Sequence, residues 1–345
     1  MSPVFVVGPS RSGTSLMVRI LNSNGELWMP SETGYFDVLR VQAKNLKAEA
    51  VQEACEDYFL KLSRRAIYDP EGKQTGVPFE LGALRELAQQ LGGRPDDYFE
   101  AFCRLNAERI GSCSRWGEKT PRHTFRIDDI LEAFPSAKII VMVRDPRAVV
   151  CSYRDMHKIQ PSDPLEGERL DSYARGRVRL RRSYHPLLSA LIWRWAMRAG
   201  QSAAARYGED RVRLQRYEAL VTEPEKNVAE ICAWLDLPYS PTMLSVDFVR
   251  SSSLAPAGSG IKPEAATRWR NSLTSREIAV VESACKRPMR ALGYEPYLRR
   301  RPRGAVPRAW LELPWAAANA FLANRTRIPR VASYAASRLG LAGRG

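Results

Sequence analysis

Apolar and polar positions along this chain fall into blocks with two different periods. Val4-Phe5-Val6-Val7 is an unbroken apolar run, the pattern of a strand buried on both faces, and Leu16 to Leu21 follows it with helical spacing. Helix-like blocks bounded by Gly or Pro run over Lys44–Ala66, Glu80–Leu91 and Asp96–Ile110. Lys138-Ile139-Ile140-Val141-Met142-Val143 is the strongest strand pattern, and Pro146 stands at the first position of the helix expected after it. Farther on, His185–Tyr207 predicts a long helix, Arg211–Arg216 a strand, and Glu218–Leu235 and Ser275–Leu292 two more helices. This rhythm predicts an α/β fold of three layers, a central parallel sheet flanked by helices, with a helical insertion over about 35–115. Ligands of such sheets bind at the carboxyl ends of the strands, so the residues after Val7 and after Val143 are expected on one rim.

The chemistry on that rim changes the picture. Gly8-Pro9-Ser10-Arg11-Ser12-Gly13-Thr14-Ser15 has the G-x-x-x-x-G frame of a nucleotide-binding P-loop between a strand and a helix. Thr14 stands where that loop carries the lysine that reaches the β- and γ-phosphates, and a basic residue appears instead at Arg11. A magnesium-dependent ATPase also needs a strand that ends in Asp, whereas here Arg144 comes first after Val143. Arg144 offers a second anion site, to which Ser152, two turns into the next helix, can add a hydroxyl. Asp145, before Pro146, is read as a helix cap in preference to a magnesium ligand. Two anionic groups are thus expected to be held by cations and amides without metal. His157 and His185 lack metal-ligand spacing, and the six scattered cysteines contain no C-x-x-C pair, so they read as reduced thiols.

These residues resemble the sulfotransferases that use 3′-phosphoadenosine 5′-phosphosulfate (PAPS). Pro9 to Leu16 looks like that family's 5′-phosphosulfate loop, and Arg144-Asp145-Pro146-Arg147 through Ser152 like its 3′-phosphate motif. Arg11 in place of a lysine is similar to the tyrosylprotein and bacterial branches. Trp116-Gly117-Glu118-Lys119-Thr120-Pro121 resembles a segment with an active-site lysine, and Ser31-Glu32-Thr33 the glutamate segment of the tyrosylprotein branch. The resemblance implies a P-loop-like fold and in-line, metal-independent transfer of a sulfuryl group from PAPS, leaving adenosine 3′,5′-bisphosphate (PAP). It implies Arg11, Ser12, Gly13, Thr14 and Ser15 at the 5′ end of the nucleotide, Arg144 and Ser152 at the 3′ phosphate, and Tyr217 toward the adenine nucleotide. A lid over about 251–270 would contribute Arg268. Glu32 is the expected base, with Arg11 and Lys119 stabilising the leaving oxygen. His123 is the alternative base, and Glu26 and Glu118 are lesser ones. The plainer readings are a solvated Glu32 and a Lys119 paired with Glu118 or Asp128. A P-loop nucleotide or sugar kinase, and a non-enzymatic basic protein that binds nucleic acid or membrane, are the alternative functions.

Charge enters last, because its distribution matters more than its sum. Ten arginines and one acid, Glu312, give residues 298–345 +9 of the total +15, which leaves +6 for residues 1–297. That division marks a main domain over 1–297 and a basic, partly apolar tail over 298–345. With no zinc-finger, RNP or helix-turn-helix pattern in the body, nucleic acid is not expected as a partner. The expected acceptor is a hydroxyl or amine on a small molecule, glycan, lipid or peptide. Six arginines over Arg169–Arg182 offer a site for an anionic acceptor or simply a solvated face. In the tail, Trp310, Trp315 and Phe321 interleave with arginines, which allows peripheral membrane contact, self-association or packing on the body. No leader precedes Val4, so a cytoplasmic location is expected, peripheral to a membrane if the tail binds one.

Overall fold

The computed structural model describes residues 2–30, 32–66, 80–110, 113–159, 167–248, 258–259 and 261–325. In chain order the first half comprises β1 (Val4–Val7), α1 (Thr14–Asn22), β2 (Leu27–Trp28), α2 (Leu39–Ala43), α3 (Ala48–Ala66), α4 (Leu81–Leu91), α5 (Pro95–Arg109), β3 (Arg115–Lys119), α6 (Ile127–Ala133), β4 (Lys138–Val143) and α7 (Pro146–Asp155). The second half comprises α8 (Gly167–Ser183), α9 (Pro186–Tyr207), β5 (Val212–Arg216), α10 (Tyr217–Thr222), α11 (Pro224–Leu235), β6 (Asp247–Phe248), β7 (Gly258–Ser259), α12 (Trp269–Ser272), α13 (Ser275–Ala284), α14 (Lys286–Ala291) and α15 (Ala305–Asn324).

Five strands form one parallel sheet in the order β2-β3-β1-β4-β5, while β6 and β7 pair antiparallel apart from it. Side chains alternate across a strand, and the apolar runs of β1 and β4 feed two cores at once. Phe5, Val7, Ile139 and Val141 pack with Tyr35, Phe36, Phe59, Phe99 and Phe102 of the helical segment on one face. Val4, Val6, Ile140 and Met142 pack with α1, α10 and α11 on the other. Phe5 is the hub of the first core, its ring 5.9–6.2 Å from those of Phe36, Phe99, Trp116 and Phe134. The three-layer α/β arrangement expected from the run lengths is the one observed.

Four expectations about elements need correction. The Lys44–Ala66 block is two helices, because Lys44 caps α2 and α3 starts only at Ala48. Glu218–Leu235 is broken at Glu223, whose non-helical backbone precedes Pro224, a residue that disfavours helix before it and donates no bond. Ser275–Leu292 is broken at Cys285, since Pro288 leaves the Ala284 carbonyl without its helical donor and Arg194 Nη1 takes it at 3.1 Å. Arg115–Lys119, taken from the sequence only as a motif, is a strand paired with both β1 and β2. Its five residues are all buried although three are charged, a pattern that hydrophobic periodicity does not register.

The segment after residue 297 contributes α15, which packs on α8, α9 and α13, with Ala309 in the core shared by α7, α9 and α13. All six cysteines are free thiols.

Candidate active site

The loop after β1 is built by two glycines and a strained arginine. Gly8 has φ +135°, and a Cβ there would lie 2.5 Å from the Met142 carbonyl oxygen of β4. Gly13 has φ +93°, and a Cβ there would meet the Tyr217 ring at 2.4 Å. Between them Arg11 adopts φ +73°, a left-handed conformation that costs a non-glycine residue about 1 kcal/mol and marks a site worth explaining. The loop is tied across to the turn that follows β3, where Gly8 N–H donates to Pro121 O at 3.0 Å. No side chain caps α1, so the first amides of a nine-residue helix face the rim with its positive dipole end.

Arg144, at the end of β4, faces this loop. It donates from Nη1 to Arg11 O at 3.0 Å and from Nη2 to Ala265 O at 2.6 Å, and its guanidinium lies 4.0 Å from the centre of the Tyr217 ring. Asp145 Oδ1 accepts from Arg147 N at 2.8 Å, the expected cap, and its carboxylate also pairs with the Arg147 guanidinium. One turn and a half along α7, Ser152 Oγ accepts from Arg11 Nε at 2.9 Å. The two anion motifs of the sequence therefore touch.

They line one cleft of about 510 Å³, together with Gly13, Thr14, Ser15, Tyr217 and Arg268. Among the residues lining it are five cations, Arg11, Arg19, Arg144, Lys262 and Arg268, against two carboxylates, Asp155 and Glu264. Asp155 is already engaged by Arg154, Lys158 and Arg268. Burial, and then the charge of Arg144, lower the pKa of Arg11, so an anion entering beside it relieves an unfavourable field. Ser12 is the one residue of the expected nucleotide set that the cleft does not expose; it is fully buried beneath the loop.

The β3 side of the rim is different. Lys119 Nζ, on a side chain 11% exposed, donates to Glu32 Oε1 at 2.8 Å, while the Glu32 side chain is 54% exposed. Neither residue lines the cleft, yet the Glu32 charge reaches Arg11 and acts to raise its pKa. Glu118, one residue before the lysine, is fully buried and collects donors: Thr33 N at 3.2 Å, Thr33 Oγ1 at 2.9 Å, Thr120 Oγ1 at 2.5 Å and His123 Nδ1 at 3.1 Å. Burial pushes the Glu118 carboxyl up, but His123 and the hydroxyl donors outweigh it and hold its pKa below the ordinary value. Glu118 thereby fixes Thr33, the neighbour of Glu32, against the strand that carries Lys119. Glu26 is exposed just before β2, at the opposite end of the sheet from the rim. Lys119 pairs with neither Glu118 nor Asp128, the partners of the plainer reading; Asp128 is held by Arg206 and Tyr207.

Several lining residues were not foreseen. Asp155 had a signal, since it follows Ser152 by three on the same face of α7. Lys262, Glu264, Ala265 and Trp269 fall within the expected lid over about 251–270, of which only Arg268 was named, and Asn271 lies just past it. Of that expected lid, residues 251–257 and 260 lie outside the described residues, as does Ser31.

A family model described as the sulfotransferase family matches residues 3–241. The chain belongs to that family. Over 326 residues the chain is 25% identical to the protein-tyrosine sulfotransferase of Drosophila melanogaster, an alignment covering 90% of this chain and 55% of that one. It is 36% identical to carbohydrate sulfotransferase 2 of Mus musculus over 89 residues, 23% of this chain and 16% of that one. It thus spans about half or less of the length of these curated relatives. Its fold is similar to the sulfotransferase domain from the curacin biosynthetic pathway, with a TM-score of 0.51 at 18% identity, covering 86% of this chain and 99% of that domain. In this family member the cationic cleft lies at the carboxyl ends of β1 and β4, and the Glu32–Lys119 pair at the end of β3.

Proposed function

We propose that this sulfotransferase takes its sulfuryl group from PAPS and passes it to a hydroxyl or amine acceptor without a metal, with Glu32 as general base. The observation that carries the reading is the Arg11 Nε to Ser152 Oγ contact at 2.9 Å, which joins two anion motifs in one cleft rich in cations. PAPS has two separate anionic ends, and the donor set fits them. The Gly13 and Thr14 amides, the Ser15 hydroxyl and Arg11 answer to the 5′ end, and Arg144 and Ser152 to the 3′ phosphate, while Ser12, buried and away from the cleft, does not reach it. Tyr217, buried beneath the Arg144 guanidinium, lines the cleft on the side expected for the adenine nucleotide, and Arg268 adds a further cation. When bound, PAPS supplies an activated sulfuryl group and departs as PAP.

The rest is done by this chain's own side chains. Negative charge grows on the leaving oxygen, and Arg11 and Lys119 are the cations that offset it. Lys119 has three donors, so it can hold Glu32 with one and offer another to that oxygen. Glu32, anchored through Thr33 and exposed on its acceptor side, takes the acceptor proton. His123 is not the base in this reading: its ring is fully buried and faces Glu118. The names of the relatives, protein-tyrosine and carbohydrate, both point to hydroxyl acceptors.

Calorimetry with the full chain tests the donor. PAP is expected to bind in the presence of a chelator, and ATP with magnesium to bind more weakly. Tight ATP–magnesium binding with no response to PAP would overturn the reading and favour a kinase.

A further inference from the structure

The outer surface of α15 is apolar where a surface helix is ordinarily polar. Its inner face, with Ala305 and Ala309 buried, packs on α9 and α13. At 100° per residue, Leu311, Trp315, Ala318 and Leu322 form one stripe on the opposite side, and Trp310, Pro314, Ala317 and Phe321 a second beside it. Leu311 is 82% and Trp315 74% exposed, while Trp310 and Phe321 of the second stripe are about half exposed. A helix apolar on both faces is buried somewhere. Yet no helix among the described residues is long and apolar enough to cross a membrane.

The surroundings of this face identify what covers it. Arg299, Arg300, Arg301 and Arg303 are exposed in the turn leading into α15. Alongside lies α8, held to α15 by Asn324 Nδ2 donating to Ser183 Oγ at 2.9 Å, with Arg175, Arg181 and Arg182 exposed around an exposed Val178. Aromatic and aliphatic side chains ringed by arginines suit the boundary of an anionic bilayer, where rings enter the interface and guanidinium groups meet phosphates. A two-fold contact with a second copy would instead bring these arginines toward their own mates.

We propose that the outer faces of α8 and α15 form a docking surface for an anionic lipid bilayer. The surface bears on the active site through α8. Tyr173 Oη donates to Ile159 O at 2.5 Å and Arg177 Nε to His157 O at 2.8 Å, and Ile159 lines the nucleotide cleft. Docking therefore holds the cleft near the headgroups, where a membrane-borne hydroxyl acceptor would be presented.

Vesicle flotation with the full chain tests this without reference to any donor. The protein is expected to float with vesicles of equimolar phosphatidylcholine and phosphatidylglycerol, to stay behind with phosphatidylcholine alone, and to be released by salt. Leu311→Glu with Trp315→Glu should abolish flotation while leaving the melting temperature unchanged, since both side chains are exposed. Arg175→Gln with Arg182→Gln should weaken partitioning about fivefold for each charge removed. The proposal is overturned if the wild type ignores anionic vesicles or if the Glu double variant floats as well as it does. It is equally overturned if the wild type is a dimer in vesicle-free buffer that the Glu variant returns to monomer, which would assign the face to a second copy.

Discussion

The two halves of the rim hold their cations in opposite ways. On the β4 side, Arg144 is fixed by two carbonyl oxygens and an aromatic ring, all neutral, so its positive charge stays available. On the β3 side, Lys119 is matched by a carboxylate at 2.8 Å. A cation held by neutral partners is an anion site, whereas a cation matched by a half-exposed carboxylate is equipped to move a proton. In the proposed reading this difference divides labour across β1, with binding energy from the β4 side and chemistry from the β3 side.

Substituting one residue on each side is the direct way to break that division. Glu32→Gln keeps the shape of the side chain and removes its capacity to accept a proton. Transfer should fall about 10²- to 10⁴-fold, the worth of a positioned base, while PAP affinity by calorimetry stays within a factor of about two. If transfer survives, the base lies elsewhere and the β3 side loses its role. Arg144→Ala should do the reverse, weakening PAP about 10- to 100-fold, as expected from losing hydrogen bonds to a charged group. An Arg144→Ala variant with unchanged PAP affinity would merge the two halves into one.

Legibility in the sequence follows the same line. The β4 side was readable because its signals are local: a glycine frame beside an apolar run, and an arginine where that run ends. The strands β1, β4 and β5 announced themselves by continuous apolar character or alternation, and their layers followed. Strand β3 did not, because Arg115, Glu118 and Lys119 are buried through partners distant in sequence: Ser2 O, Thr33 and Glu32. Glu118 shows the cost of that blindness most clearly. In sequence it is a minor candidate base beside a lysine; in the fold it is a sealed carboxylate that receives four hydrogen bonds. The helix breaks at Glu223 and Cys285, set by Pro224 and Pro288, were missed because apolar periodicity continues through both prolines.

Glu118 also provides the smallest and sharpest test of the comparison, because it positions the β3 side without touching a reactant. Its pKa is lower in the fold than in the unfolded chain, where a glutamate titrates near pH 4.3. The ionised carboxylate therefore stabilises the fold above that pH, and the contribution fades as pH falls from there through the lower folded value. Glu118→Gln retains one acceptor oxygen and loses the charge that His123 and the two threonines face, at a cost of about 1–2 kcal/mol. The melting temperature at neutral pH should drop by a few degrees, and the acid side of the stability profile should flatten relative to wild type. Because Thr33 then holds Glu32 less firmly, kcat should fall while PAP affinity, set across β1, does not. A variant whose kcat and PAP affinity fell together would mean that β3 and β4 build one site rather than two.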